Sequence, residues 1–122
     1  MNRSTVLVFR IGFFAALAAT TWLSLIPQAP QIGPSDKLDH ALAYYTLYLI
    51  TDFAFPAAGV VLKGASVFIY GVIIEFIQPY TGRFYEVADM AANGAGILLY
   101  LVSVPVLKRV PMIKHRWEPP RR

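Results

Sequence analysis

The chain has 122 residues, of which 57% are hydrophobic and 15% charged, with 11 Lys and Arg against 7 Asp and Glu. That composition, with a mean hydropathy of +0.52, cannot supply a water-facing surface for a soluble domain, and it predicts a membrane protein. The absence of cysteine excludes disulfides, thiolate metal sites and cysteine nucleophiles, and this length holds about four spans with no room for a separate extramembrane domain.

The apolar runs predict an all-α, polytopic membrane protein, a bundle of four transmembrane helices with short loops: Thr5 to Ile26, Lys37 to Phe55, Ala57 to Gln78 and Val87 to Leu107. At 1.5 Å per residue each crosses about 30 Å of hydrocarbon. None alternates with the period of a strand, as Val67 to Ile74 makes plain. For the first run a cleaved signal peptide is the alternative, because Arg3 and Arg10 precede a short apolar stretch and Ala16-Leu17-Ala18 resembles a cleavage site.

Between the first two spans, Pro27 to Ser35 reads as an extended loop, after which Ser35 caps helix 2 and Asp36 suits its first turn. A very short connection around Pro56 follows, then a tight loop from Pro79 to Tyr85 that contains Gly82 and Arg83. Lys108, Arg109, Lys114, Arg116, Arg121 and Arg122 all follow the last span and form a basic tail over residues 108–122. Basic residues beside spans stay cytoplasmic, so both termini are predicted inside and both longer loops outside. From Pro111 to Arg122 the tail is expected to be flexible and to seek lipid head groups. Apart from Trp117 it lacks interleaved stacking aromatics, which argues against nucleic acid.

Ionisable residues within spans are costly, and here they gather at one depth. Helix 2 enters with Asp36, Lys37, Asp39 and His40; helix 3 leaves with Glu75 and Gln78, followed by Arg83; helix 4 enters with Glu86, Asp89 and Asn93. Asp36, His40 and Tyr44 recur every four residues and share one face, as do Asp89 and Asn93. Ala88, Ala92 and Gly96 form a small-residue stripe that lets a neighbouring helix approach. At the opposite end, Asp52 and Lys63 are expected to form a snorkelling ion pair without chemistry. Tyr44, Tyr45, Tyr80, Tyr85 and Trp22 suit an interfacial aromatic belt, and Tyr44 also faces the side of His40.

Asp36-Lys37-x-x-His40, Glu75-x-x-Gln78, Gly82-Arg83 and Asp89-x-x-x-Asn93-x-x-Gly96, in that order over Ser35 to Tyr100, resemble the VanZ-like membrane proteins. The resemblance implies a multi-pass protein of the bacterial plasma membrane and cell envelope, a link to low-level resistance to glycopeptides such as teicoplanin, and a relation to enzymes acting on phosphate-bearing lipid head groups.

Two functions fit the polar layer. In the first, an enzyme acts at the outer leaflet on a lipid-linked phosphate or diphosphate. Arg83 and Lys37 clamp the phosphate, His40 is base or nucleophile, Asp36 or Asp89 orients the imidazole, and a protonated Glu75 donates to the leaving group. In the second, the same layer binds an envelope precursor, an antibiotic or another membrane protein, with Arg83 and Gln78 as donors. Membrane lipids are the expected partners in both. Asn93 reads first as an interhelical hydrogen-bonding residue. A metal held by His40, Glu75 and Asp89 is allowed by ligand type, yet one histidine with scattered carboxylates specifies none. No cofactor and no oligomeric state follow from the residues, and four short helices leave little room for a transport path.

Overall fold

A computed structural model describes residues 1–27, 29 and 31–119, and these form helices and turns with no strand among them. Four α-helices run in chain order: α1 Arg3–Leu25, α2 Asp36–Ala54, α3 Val60–Ile77 and α4 Val87–Leu107. A 3-10 turn, Gln78–Thr81, extends α3, and another, Lys114–Arg116, lies beyond α4. Helices α1, α4 and α3 with its extension are long and apolar enough to cross a membrane.

Local chemistry sets the helix starts. Asn2 accepts from the Thr5 N–H through its side-chain oxygen (2.8 Å) and Ser35 does the same for Leu38 (3.1 Å), each satisfying an otherwise unpaired donor of the first turn. Helix α2 stops at Ala54, ahead of Pro56. Helix α3 begins at Val60, three residues later than the apolar run predicts, because Ala57 to Gly59 turn the chain and Gly59 takes an extended conformation at the cap.

Helix α2 is the centre of the bundle. It packs most extensively on α4 and next on α1, and buries Tyr44, Leu47, Tyr48 and Thr51 along one helical stripe. Helix α1 buries no residue, and Leu7, Ile11 and Phe14 on it stay exposed, as do Leu98, Leu99 and Val102 of α4. Continuous apolar surface of this kind suits hydrocarbon and not water. The contrast explains why α2 is the least apolar of the four: neighbours cover it, so its composition need not match lipid.

Helices α2 and α4 run parallel, since Lys37 meets Asp89, His40 meets Asn93, and Tyr45 meets Ser103 (2.8 Å between hydroxyls). Helices α1 and α3 run alongside each other in the opposite sense, joined by the Thr21 and Tyr70 hydroxyls (2.5 Å) and by Gln78 Nε2, which donates to the Ser24 carbonyl (3.0 Å). The long loop is tied to α2 by Asp39, whose carboxylate accepts from the Ile32 (2.9 Å) and Gly33 (2.6 Å) N–H groups.

Three expectations are corrected here. Lys63 does not snorkel: it is 4% exposed, and its ammonium donates to Asp52 Oδ1 (2.6 Å). The segment after α4 is packed over its described residues rather than flexible. Arg116 Nη2 donates to Asp52 Oδ1 (2.7 Å), its Nε donates to the Asp52 carbonyl (2.8 Å), and Trp117 stacks edge-on against Phe53. Arg121 and Arg122 lie outside the described residues. Tyr44 and Tyr45 also leave the expected belt: Tyr44 is buried in the core and Tyr45 bonds to α4, whereas Trp22 and Tyr80 are exposed.

Candidate functional site

The first turns of α2 and α4 lie side by side and bring their charged groups together. Lys37 Nζ donates to Asp89, to Glu86 (2.5 Å) and to Asp36 (3.3 Å). Asp89 is buried in this cluster, while the Asp36 and Glu86 side chains are half exposed. Carboxylates in a first turn are favoured by the helix dipole, which accounts for three of them at two adjacent helix starts.

His40, one turn into α2, faces the same cluster. Its Nδ1 meets Asn93 Oδ1 at 2.9 Å, and an amide that presents its oxygen puts the hydrogen on Nδ1. The other ring nitrogen, Nε2, lies 3.7 Å from both Asp36 Oδ1 and Asp89 Oδ2. The ring is thus oriented by an amide on one nitrogen and faces two carboxylates with the other. The ligand-capable atoms of Asp36, His40 and Asp89 lie within 4.8 Å of one another, a set in which Asp36 replaces the Glu75 of the sequence-derived metal option. Lys37 already supplies a cation there, bonded to Asp36 and Asp89.

Glu75 is 1% exposed. Its Oε1 accepts from the Glu86 N–H (2.8 Å), capping the start of α4, which has no side-chain cap of its own. That contact makes Glu75 a tie between α3 and α4 through one of its two carboxylate oxygens.

Adjoining this cluster, between α1, the long loop and the 3-10 turn, lies a cavity of about 250 Å³ lined by Asp36, His40, Tyr44, Gln78 and Arg83 among others. Arg83 is carried by the loop that follows Gly82, whose φ of +84° makes a left-handed turn suited to glycine. Its Nη1 donates to the Leu23 (3.1 Å) and Ser24 (3.2 Å) carbonyls at the end of α1, and among the described residues Nε and Nη2 donate to no partner. The predicted clamp of Arg83 with Lys37 is not assembled, because Lys37 turns to the carboxylates of α4 and Arg83 to α1. Gln78 is 1% exposed, and its Oε1 is buried without a partner among the described residues. An unsatisfied buried carbonyl of that kind costs about 1–3 kcal/mol. Tyr44 reaches the wall from the core, its ring lying against Gly71, where an added Cβ would sit 2.8 Å from Tyr44 Cε1 and 3.0 Å from Asn93 Nδ2.

The sequence-predicted residues therefore fall into two adjoining groups that share Asp36 and His40. One is the ion cluster with Lys37, Asp89 and Asn93; the other is the cavity with Tyr44, Gln78 and Arg83. Sequence reasoning put Glu86 in the polar layer but gave it no role, although its spacing of three from Asp89 places both on one face of α4. It also left out Thr20, Ser24 and Gln31 from the second, where the only available signal was the polarity of Thr20 and Ser24 within an apolar helix. Comparison of the chain with known proteins gives no matching family model, no matching curated protein and no matching solved structure.

Proposed function

We propose that the chain is a VanZ-like integral membrane protein of the bacterial envelope, with α2 as a fourth span, and that its cavity takes the phosphate-bearing head group of a membrane lipid or lipid-linked cell-wall precursor at the outer face. The observation that carries this reading is that His40 and Arg83 line one cavity whose wall continues into apolar residues such as Leu23 and Ile32. A head group enters such a site from the side with its chains still in lipid. Helix α2, at 19 residues, is about 28 Å long, and Ala41 to Thr51 between its polar ends carries no charge.

The Nε and Nη2 donors of Arg83 form one edge of the planar fork that matches phosphate oxygens. His40 Nε2 takes the proton of a water or alcohol attacking phosphorus and returns it to the departing alkoxide, with Asn93 fixing the ring and Asp36 and Asp89 stabilising the imidazolium between the two steps. Glu75 has no part in this scheme. A binding function without chemistry is the second reading, favoured by Arg83 Nη1 being engaged by α1 carbonyls, a contact that makes Arg83 part of the wall's own structure.

Lipid extracts of cells producing the wild type and His40→Gln, at matched membrane abundance, separate the two. Chemistry predicts a head-group change that the wild type produces and His40→Gln, which cannot take up a proton, abolishes. Extracts that do not differ between the two would overturn the enzymatic reading and leave the binder.

A further inference from the structure

The cavity wall offers more than a site for phosphate. Arg83 brings donors and positive charge, but beside it stand two acceptors: Gln78 Oε1, buried and unpartnered among the described residues, and the half-exposed Asp36 carboxylate, which accepts from Lys37 through Oδ2 (3.3 Å) and lies 3.7 Å from His40 Nε2 through Oδ1. The second carboxylate in the wall, Asp39, has both oxygens engaged by the loop N–H groups. Gln78 is held in this orientation, because its Nε2 donates to Ser24 O, the same carbonyl that receives Arg83 Nη1. An amide rotated to offer its nitrogen to the cavity would set its oxygen against that carbonyl. The group that Gln78 has left to offer a ligand at this wall is therefore its carbonyl oxygen. A phosphate alone would satisfy Arg83 but bring no hydrogen to the Gln78 carbonyl or to the open side of Asp36. A ligand complementary to the whole wall carries an anion and, a few bonds away, hydrogen-bond donors.

Resting on the head-group reading of this cavity, we propose that the ligand is a phosphodiester whose alcohol part carries its own donors, hydroxyl or ammonium, with the phosphate on Arg83 and the donor shared by Asp36 and the Gln78 carbonyl. The volume of about 250 Å³ lies just below the range for sites that enclose drug-sized molecules, as suits a head group whose chains stay outside.

The test uses purified full-length protein in detergent and dihexanoyl phospholipids in pairs that differ only in the donor: phosphatidylethanolamine against phosphatidylcholine, and phosphatidylglycerol against phosphatidylmethanol. The donor-bearing member of at least one pair is expected to bind about tenfold tighter, the worth of one hydrogen bond to a buried acceptor. The pair that shows the preference tells ammonium from hydroxyl. Gln78→Met keeps the side chain's length and removes the carbonyl, and should bring the preferred pair to near-equal affinity. Asp36→Asn, at a half-exposed position, should narrow the ethanolamine preference even if Gln78→Met fails to fold. Equal affinities within both pairs, with all four above dihexanoylglycerol, would overturn the donor proposal and leave the head-group reading standing. A preference that survives both substitutions would overturn its assignment to this wall. No binding above dihexanoylglycerol, with no effect of Arg83→Gln, would overturn the head-group reading together with the proposal.

Discussion

Asp52 illustrates how a charge is held inside an apolar bundle. Its carboxylate receives Lys63 Nζ (2.6 Å), Arg116 Nη2 (2.7 Å) and the Tyr100 hydroxyl (2.7 Å), so α3, α4 and the segment beyond α4 all converge on one residue of α2. A buried ion pair adds little net stability, but removing one partner strands the other charge. Asp52→Ala leaves Lys63 buried and faced only by Arg116, and should cost about 3–5 kcal/mol in thermal denaturation of the detergent-solubilised protein. Lys63→Met leaves Asp52 with Arg116 and Tyr100 and should cost distinctly less; the reverse order would show that Arg116 cannot stand in for Lys63, which would then be the principal partner. The pairing of Asp52 with Lys63 across a short connection was legible in the sequence. Its burial was not, because Tyr100 and Arg116 close over it from positions 48 and 64 residues away along the chain.

At the scale of elements, the seam between α2 and α4 depends on Gly96. A Cβ there would sit 2.9 Å from the Ala41 carbonyl carbon and 3.0 Å from the Tyr45 nitrogen, with the Ala41 oxygen closer still. These are backbone atoms of a packed helix and cannot yield as a side chain would. Gly96→Ala should therefore lower stability by about 1–3 kcal/mol by forcing α2 and α4 apart. Gly94→Ala is the matched control. Its Cβ would meet only Phe68, at an ordinary 3.4 Å, and alanine in a helix interior should be neutral or gain up to about 1 kcal/mol. Equal losses at the two positions would mean that close approach is not what Gly96 provides. The small-residue spacing on α4 announced this contact, and the i, i+4 spacing on α2 announced the meeting of Asp36, His40 and Tyr44 with α4 and the cavity. What stayed hidden was the direction of Arg83 and Gln78. Both are anchored on the carbonyls that end α1, a contact no local pattern encodes. The start of α3 was hidden as well, since Ala57 and Ala58 are good helix formers and only the chain's path brings them into a turn.

For the whole molecule, charge separates the two ends of the bundle. Asp36, Asp39, Glu75, Glu86 and Asp89 sit at the end that holds the cavity, while Arg10 caps the Ala54 carbonyl and Arg116 the Asp52 carbonyl at the opposite end, where Lys63, Lys108, Arg109 and Lys114 also lie. Two of those basic groups satisfy carbonyls that the end of α2 leaves unpaired, so the same residues that complete the helix also bias its orientation. If the basic end is cytoplasmic, the cavity faces outward. The chain has no cysteine, so a single one reports unambiguously. Gln31→Cys, in the exposed loop at the cavity end, should react with a membrane-impermeant maleimide in intact cells, whereas Met112→Cys, 83% exposed at the basic end, should react only after permeabilisation. Each is the other's control for reactivity, since both positions are open to solvent in the fold. The opposite pattern would turn the bundle over and carry the His40 and Arg83 cavity to the cytoplasmic leaflet. Its ligand would then have to be a lipid head group of that leaflet, and precursors displayed on the outer face would be out of its reach.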